Sequence, residues 1–365
     1  MPRLSHSVSA LAAMALLALP AAAMAGSPPD HYAYHPLRVR PNASSSPTGL
    51  SPSQIKSAYG FSTKKSVGHG KTIAIVDAYD DPSAERDLGV FSAQFGLPAC
   101  TTANGCFKKV NQTGGTRYPA ADSGWALEIS LDVQWAHAIA PGAKILLVEA
   151  SSNSFTDLLA AEDYATSHAA YVSNSWDSSE FSTETFYDGH FNRPGVSIFV
   201  SSGDGGLPAY PSSSPYVISV GGTTLNFDGS GNFTSETGWS LSGGGCSAYE
   251  TANATQSGFV GYAKVSCAGK RATPDVSLDA ASGVSVYDGT SYQGRMGWWT
   301  VGGTSASSPM WAARSAAAGT VVNASYVYGS SITYRDITSG NNGAGGCLVD
   351  YDLVTGRGSW TGATP

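Results

Sequence analysis

The chain has 365 residues, of which 42% are hydrophobic and 13% are charged, so it can bury a large core as one large domain or two smaller ones. Its 27 acidic and 20 basic residues give a formal net charge of -7. The chain also has no run of basic residues. The acidic net charge and the lack of a basic run argue against a nucleic-acid partner. A composition with 43 glycines and few charges predicts many turns and loops, and it is common among secreted proteins that work in acid.

Residues 1–25 have the pattern of a secretory signal peptide. Arg3 precedes an apolar run, and Ala23-Met24-Ala25 forms an A-x-A cleavage site. The mature chain is therefore expected to start near Gly26. No later stretch has the roughly 20 apolar residues that a membrane helix needs. We expect a secreted, extracellular protein without a membrane anchor.

Export makes the five cysteines candidates for disulfide bonds. Cys100 and Cys106 enclose one short loop, and Cys246 and Cys267 flank another. Two local bridges would leave Cys347 unpaired, although the sequence is compatible with other pairings.

Predicted elements alternate along the chain. Residues 26–49 are rich in Pro and Ser without periodicity and are expected to be a linker or short N-terminal arm, so the folded domain begins near Leu50. Strands are predicted over 71–78, 143–150, 171–176, 196–204 and 216–223, and helices over 83–96, 123–141 and, with Ser154 as its cap, up to His168. This alternation predicts an α/β fold with a parallel sheet covered by helices on both faces.

The predicted helix 123–141 carries two acidic residues, Glu128 and Asp132. The i,i+4 spacing places them on one face of the helix, with Cβ atoms roughly 5 to 6 Å apart. Their neighbours along the helix are mostly apolar, so the helix is expected to be buried. Burial and a like-charged neighbour raise the pKa of at least one carboxyl group, and the pair would share a proton. Such a pair can serve as a general base.

Ser305 lies in the sequence GGTSASSP, where two glycines lead into an apolar, helical segment. A serine at such a turn is an ordinary helix cap, or a nucleophile if a base is nearby. The chain contains no Gly-x-Ser-x-Gly and no His-Glu-x-x-His, which argues against a nucleophile elbow and a zinc-peptidase site. A histidine triad built on Asp77 would need a His-Gly after that residue, whereas His69-Gly70 precedes it.

Three motifs occur in a set order: the acidic pair Glu128 and Asp132, then SSGDGG at 201–206, then GGTSASSP at 302–309. In this order, and with LSPSQIKSAYGF, DITSGNNG and DYDLVTGRGS, the chain resembles the sedolisins, the serine-carboxyl peptidases, over about residues 50–365. The resemblance implies a subtilisin-like fold in which Ser305 is the nucleophile and Glu128 its base. It also implies that Asp132 orients Glu128 and that Asp204, as a neutral acid, donates a hydrogen bond to the oxyanion.

The resemblance further implies one structural calcium ion near the carboxyl terminus. Its ligands would be the carboxylates of Asp336 and Asp352 and the carbonyl of Ile337, with two further carbonyls near Leu348 and Asp350. Asp350 stands where the family usually has glycine.

These observations predict a secreted, single-domain, monomeric serine-carboxyl endopeptidase that cleaves proteins or peptides in acid through an acyl-enzyme, without nucleic-acid or membrane partners. The alternatives are a histidine-dependent subtilase and a catalytically silent binding protein on a peptidase scaffold. His137 shares the predicted helix with Glu128 but lies about 13 Å along its axis, at 1.5 Å per residue. The two side chains therefore cannot both reach one hydroxyl group.

Overall fold

A computed structural model describes residues 30–40, 43–329 and 333–362, so the predicted signal peptide, residues 1–25, lies outside the described residues. The helices are α1 (Pro52–Tyr59), α2 (Ala84–Phe95), α3 (Ser123–Ile139), α4 (Phe155–His168), α5 (Ala254–Ser257), α6 (Thr304–Ala318) and α7 (Ala324–Tyr328). The strands are β1 (Arg38–Val39), β2 (Thr72–Ala78), β3 (Phe107–Asn111), β4 (Lys144–Ala150), β5 (Tyr171–Asn174), β6 (Ser178–Ser179), β7 (Ser197–Ser201), β8 (Ala209–Tyr210), β9 (Ile218–Phe227), β10 (Phe233–Gly238), β11 (Gly245–Thr251), β12 (Lys270–Thr273), β13 (Val276–Asp279), β14 (Val284–Tyr292), β15 (Arg295–Gly302), β16 (Tyr334–Arg335) and β17 (Ser359–Trp360).

The central sheet has the strand order β10-β9-β7-β5-β2-β4-β3, and β13 also pairs with β9. Its pairings are parallel except that β10 runs antiparallel to β9. Because the side chains of a strand alternate between its two faces, β2 contributes to two separate apolar clusters. Ile73 and Ile75 pack on the side of α3 and α6, while Ala74 and Val76 pack on the side of α4. The predicted α/β fold with a doubly covered parallel sheet is confirmed.

The predicted elements of the first half of the domain are present with small shifts at their ends. The predicted cap of α4 is also present, since the Ser154 hydroxyl accepts the Asp157 N–H at 3.2 Å. The antiparallel hairpin of β14 and β15 and the edge strand β3 were not predicted. The segment expected to be a linker or arm contributes β1, which pairs with β15.

Both expected disulfide bonds are present in the structure, between Cys100 and Cys106 and between Cys246 and Cys267. Cys347 is a free thiol, as expected from the two local bridges. Within residues 30–40, 43–329 and 333–362, no helix is both long and apolar enough to span a lipid bilayer.

Several carboxyl groups are buried in the core. Glu162 on α4 is fully buried, and burial raises its pKa to about 8, although the nearby Asn174 amide opposes the shift. Burial likewise raises the pKa of Glu149 on β4 to about 9, against the opposing charge of Lys109. In an unfolded chain a glutamate has a pKa of about 4.3. These groups therefore hold a proton in the folded protein at pH values where the unfolded chain has lost it.

A raised carboxyl pKa links stability to pH with a defined sign. The contribution of Glu162 is fully present below its unfolded pKa and is lost as pH rises through its folded value of about 8. We expect the melting temperature of the wild type, minus that of Glu162→Gln, to fall steadily between pH 4 and pH 8, because the amide does not titrate. Differential scanning calorimetry of both proteins measures this difference. A difference that stays constant over that range would contradict the assignment.

Candidate active site

Ser305 lies in the first turn of α6 and is fully buried. The helix starts after Gly303, whose φ of 108° lies in the region that favours glycine. A Cβ atom at Gly303 would stand 2.2 Å from the carbonyl oxygen of Pro36 and 2.7 Å from Oδ2 of Asp204. The turn therefore requires glycine, and these two oxygens crowd the same point beside Ser305.

Glu128 and Asp132 are both completely buried on α3, which packs against α6. Burial raises the pKa of Glu128 well above its ordinary value, and the charge of Asp77 adds to the shift. Burial also raises the pKa of Asp132, with further contributions from Asp77 and then Glu128. The expected proton-sharing pair is therefore part of a group of three carboxyls, because the charge of Asp77 raises the pKa of both partners.

Asp77 was considered in the sequence only as part of a histidine triad. It lies near the carboxyl end of β2, fully buried, and burial raises its pKa to about 8. Neither carboxylate oxygen has a hydrogen-bond partner among the described residues. We define Asp77, Glu128 and Asp132 as the carboxyl cluster.

Asp204 lies three residues after the end of β7, whereas the predicted strand 196–204 included it, and it is held by Thr304 at the start of α6. The Thr304 N–H and hydroxyl both donate to Oδ1 of Asp204, at 2.9 and 3.0 Å. Burial raises the pKa of Asp204 to about 6, although the bonds from Thr304 and the charge of Arg38 oppose the shift. In acid Asp204 is therefore neutral, and its second oxygen, Oδ2, has no hydrogen-bond partner among the described residues.

Asp177, which the sequence analysis missed, lies next to Asp204. Its Oδ2 would stand 2.9 Å from a Cβ atom at Gly203. Burial raises the pKa of Asp177 to about 8, and the charge of Asp204 adds to this shift. Its position three residues after β5, at the carboxyl edge of the parallel sheet, is the signal that could have identified it.

Residues 30–40 cross the site. The Ser305 hydroxyl donates to the carbonyl oxygen of Pro36 at 3.0 Å, and both carboxylate oxygens of Glu128 lack a hydrogen-bond partner among the described residues. Nδ1 of His35 lies 3.8 Å from Oε2 of Glu128, and the ring packs edge-on against Trp125. Ser305 and Asp204 therefore lie beside the Pro36 carbonyl group of the chain itself, and Glu128 faces the neighbouring His35.

The two histidines near α3 differ in their surroundings. His137 is buried, its Nε2 lies 2.9 Å from the carbonyl oxygen of Pro98, and burial lowers its pKa to about 4. His35, placed in the linker by the sequence analysis, is the histidine that faces Glu128. Burial lowers its pKa as well, against the charge of Asp122.

In the loop expected to hold calcium, the carboxylates of Asp336 and Asp352 both accept hydrogen bonds from the segment 348–350. The Leu348 N–H donates to Oδ2 of Asp352, and the Asp350 N–H donates to Oδ2 of Asp336, each at 3.1 Å. Asp350 has a φ of 74°, in the left-handed region that glycine adopts more readily than other residues. Its side chain turns outward to Nζ of Lys264 at 2.6 Å, so only its carbonyl remains for an ion.

The chain is similar in sequence to known peptidases. The model of the subtilase family matches residues 119–334. The chain is 29% identical to kumamolisin of Bacillus sp. (strain MN-32) over 82% of this chain. It is 27% identical to xanthomonalisin of Xanthomonas sp. (strain T-22) over 90% of this chain. It is 34% identical to sedolisin of Pseudomonas sp. (strain 101) over 45% of this chain.

This chain spans 58%, 48% and 33% of the lengths of those three relatives. Among solved structures, Pseudomonas sedolisin, a serine-carboxyl proteinase, matches with a TM-score of 0.72 and 27% identity, over 86% of this chain and 96% of that one. A psychrophilic protease matches with a TM-score of 0.56 and 18% identity, over 84% of this chain and 97% of that one, which indicates a shared fold.

The Thr304 hydroxyl links two parts of the site, because it accepts the Gly203 N–H at 3.1 Å and donates to Asp204. Thr304→Val keeps the side-chain volume but leaves the buried N–H unsatisfied, which costs about 1 to 3 kcal/mol of unfolding free energy. Thr304→Ser keeps the hydroxyl and should cost less, about 0.8 kcal/mol for one methyl group. Urea denaturation at pH 5 compares the two variants, and a valine variant as stable as the serine variant would contradict this role.

Proposed function

Because the chain belongs to the subtilase family, in its sedolisin branch, we propose that it is a serine-carboxyl endopeptidase that hydrolyses peptide bonds of proteins in acid. The observation that carries this proposal is the Ser305 hydroxyl, which lies 3.0 Å from a peptide carbonyl oxygen beside buried acids. We also propose that the protein acts outside the cell, a location that its disulfide bonds favour. Its substrates are proteins or peptides, and it works as a monomer without nucleic-acid or membrane partners.

In the proposed reaction the Ser305 oxygen attacks the carbonyl carbon of the substrate, and Glu128 accepts the serine proton. Burial raises the pKa of Glu128, and this makes its ionised form a stronger base than an exposed carboxylate. Burial raises the pKa of Asp132 and Asp77 as well, so in acid the carboxyl cluster carries at most one negative charge, and the reactive form is the one that has this charge on Glu128. We assign to Asp132 the positioning of Glu128, and to Asp77 the sharing of the protons.

Attack turns the carbonyl oxygen into an oxyanion, which needs a hydrogen-bond donor. The Oδ2 atom of Asp204 serves as this donor while the group is protonated. Since the pKa of Asp204 is raised to about 6, the donor is present in acid and is lost as pH rises through that value. An ionised Asp204 would repel the oxyanion, which is the physical reason for activity in acid.

The proton on Glu128 then passes to the leaving amine, the peptide bond breaks and an acyl ester remains on Ser305. Water attacks this ester and Glu128 accepts a proton from the water; the bond to the Ser305 oxygen then breaks, Glu128 returns the proton to that oxygen, and the acid product and free serine form. The disposition of buried carboxyl groups around Ser305 supports each of these assignments.

Hydrolysis of an acid-denatured protein by the purified chain between pH 2 and pH 8 tests the proposal, and Ser305→Ala should abolish it. Glu128→Gln keeps the shape of the side chain but removes its basicity, so we expect turnover to fall by about 10² or more. Asp132→Asn should cost a similar factor, and Asp204→Asn less, because an amide still donates a hydrogen bond.

The histidine-dependent alternative makes the opposite prediction for these variants. His137→Gln and His35→Gln serve as matched controls and should retain most of the turnover. If either one abolished hydrolysis while Glu128→Gln remained near wild type, the base would be a histidine and the serine-carboxyl mechanism would be wrong.

We further propose that Asp336, Ile337, Leu348, Asp350 and Asp352 hold one structural calcium ion. The donor set fits this ion, because two carboxylates and backbone carbonyls give the all-oxygen ligands that calcium prefers. The hydrogen bonds that join both carboxylates to Leu348 and Asp350 support the assignment, because they hold these residues near one another. The bound ion would contribute stability at this loop.

An ion that binds only the folded chain stabilises it by mass action. Exhaustive chelation should therefore lower the melting temperature, and added Ca²⁺ should restore it, as followed by calorimetry at pH 6. Asp336→Asn should lose the response to calcium, whereas Asp228→Asn, at an exposed loop away from the site, should keep it. A melting curve that chelation leaves unchanged would remove the ion from the proposal.

A further inference from the structure

The amino-terminal arm shows how an extended peptide lies in the site. The Tyr34 N–H donates to the carbonyl oxygen of Asp177 at 2.7 Å, and the Asp177 N–H donates to that of Tyr34 at 2.9 Å. This two-way backbone pairing is how a cleft binds a peptide as an added strand. The Ser305 hydroxyl donates to the carbonyl oxygen of Pro36 at 3.0 Å. His35 therefore lies where a substrate has the residue directly before the one whose carbonyl group is attacked, which we call the penultimate position.

The His35 side chain lies in a pocket at the start of α3. The arm turns at Pro36, where the Leu37 N–H donates to the carbonyl oxygen of His35 at 3.0 Å. The imidazole ring packs against Trp125, with ring centroids 5.1 Å apart and ring planes at 84° to one another. Its Nδ1 lies 3.8 Å from Oε2 of Glu128. One wall of the pocket is thus an indole ring, and the proposed base lies at one end of the pocket.

Gly124 leaves room for the other end of the ring. A Cβ atom at this position would stand 3.1 Å from Nε2 of His35 and 3.3 Å from Oδ1 of Asp122. Because Gly124 has no positive φ, its backbone conformation does not require glycine, and the missing side chain instead makes space for the imidazole ring. Burial lowers the pKa of His35, and the charge of Asp122 opposes this shift. Asp122 therefore acts on the pocket from the end opposite to Glu128.

The pocket presents an acid at each end. Asp122 caps α3, where its Oδ1 accepts the N–H groups of Gly124 and Trp125 at 2.9 and 3.0 Å, so its carboxylate is held in place. Glu128 is fully buried. A basic side chain in this pocket would have an acidic partner at both ends, and it would lie within about 6 Å of an indole ring, which attracts cations. An aliphatic side chain would interact with neither acid.

A cation in this pocket would also affect the chemical step. Its positive charge beside Glu128 favours the ionised carboxylate over the protonated form. The ionised form is the one that accepts the Ser305 proton in the proposed reaction. Because the carboxyl cluster holds at most one negative charge in acid, a nearby cation would keep that charge on Glu128 rather than on Asp77 or Asp132. A basic side chain of the substrate would therefore raise kcat as well as lower KM.

We infer that this pocket is a specificity subsite that selects peptides with arginine or histidine at the penultimate position. The inference rests on the proposed function and adds a substrate class to it, namely proteins and peptides cleaved one residue beyond a basic side chain. Asp122, Gly124 and Trp125 are the specificity-determining residues, because they surround the side chain without taking part in proton transfer. A glutamate at the penultimate position would place a negative charge between two acids and should give the poorest substrate.

The test uses the full chain and synthetic peptides that differ only at the penultimate position. Both kcat and KM are measured at pH 4, and mass spectrometry identifies the cleaved bond. Peptides with arginine or histidine should exceed those with leucine or glutamine in kcat/KM by about tenfold, the scale of one hydrogen bond to a charged group. Part of this gain should lie in kcat. Equal kcat/KM values for all four peptides would overturn the subsite.

Two substitutions in the pocket test its walls through the ratio of kcat/KM for the arginine peptide to that for the leucine peptide. Asp122→Asn keeps a residue that caps helices well but removes the charge, so the ratio should fall several-fold. Gly124→Leu fills the pocket, and the ratio should fall to near one. Gly89→Leu on α2 is the matched control, because a Cβ atom at Gly89 meets nothing within 4 Å, and it should keep the wild-type ratio. Each ratio is measured within one protein, so it does not depend on the fraction that folds. A Gly124→Leu chain with the wild-type ratio would contradict the subsite.

An acid-denatured protein is assayed beside the peptides, which separates the subsite from the proposed function. Hydrolysis of this protein by the wild-type chain, without any preference among the peptides, would overturn the subsite alone. Hydrolysis of neither the protein nor the peptides would overturn the proposed function, and the subsite with it.

Discussion

The structure depends on burying three carboxyl groups in its core. Asp77, Glu128 and Asp132 are fully buried, and burial is the largest influence that raises the pKa of each. Burying an ionised group without a partner is costly, so such groups neutralise by retaining protons. Low pH therefore favours this part of the fold, because it supplies the protons that the buried carboxyl groups retain.

The parallel sheet explains why distant residues meet at this cluster. The carboxyl ends of neighbouring parallel strands lie at one edge, where the loops that follow them converge. Asp77 near the end of β2, Asp177 beyond β5 and Asp204 after β7 all lie there. Two helices that pack on the same face of the sheet, α3 and α6, add Glu128 and Ser305. The order of the strands in the sheet thus brings these residues together, and the backbone sets the position of each side chain in the site.

Sequence patterns revealed the parts of this site that are local. The i,i+4 acids on an apolar helix, the glycine turn before Ser305 and the alternation of strands and helices all rest on residues within one element or its immediate neighbours. Asp77 and Asp177 were missed as members of the site because their importance lies in what surrounds them in space. The hairpin of β14 and β15 was missed because its residues alternate only weakly: Tyr287, Thr290 and Ser291 are partly or fully exposed in a strand that begins with buried valines.

The arm at 30–40 forms structure that side-chain patterns do not predict. Its pairing uses backbone groups, such as the N–H of Tyr34 and of Arg40, which any residue except proline supplies. The composition of this segment therefore suggested a linker, because its side chains show no alternation that predicts a strand. Pro36 is the side chain of this segment that does indicate its conformation. No N–H is required from Pro36 by the neighbouring strands, and its ring fixes the turn. The position of that proline decides where the chain bends, and hence which carbonyl group meets Ser305.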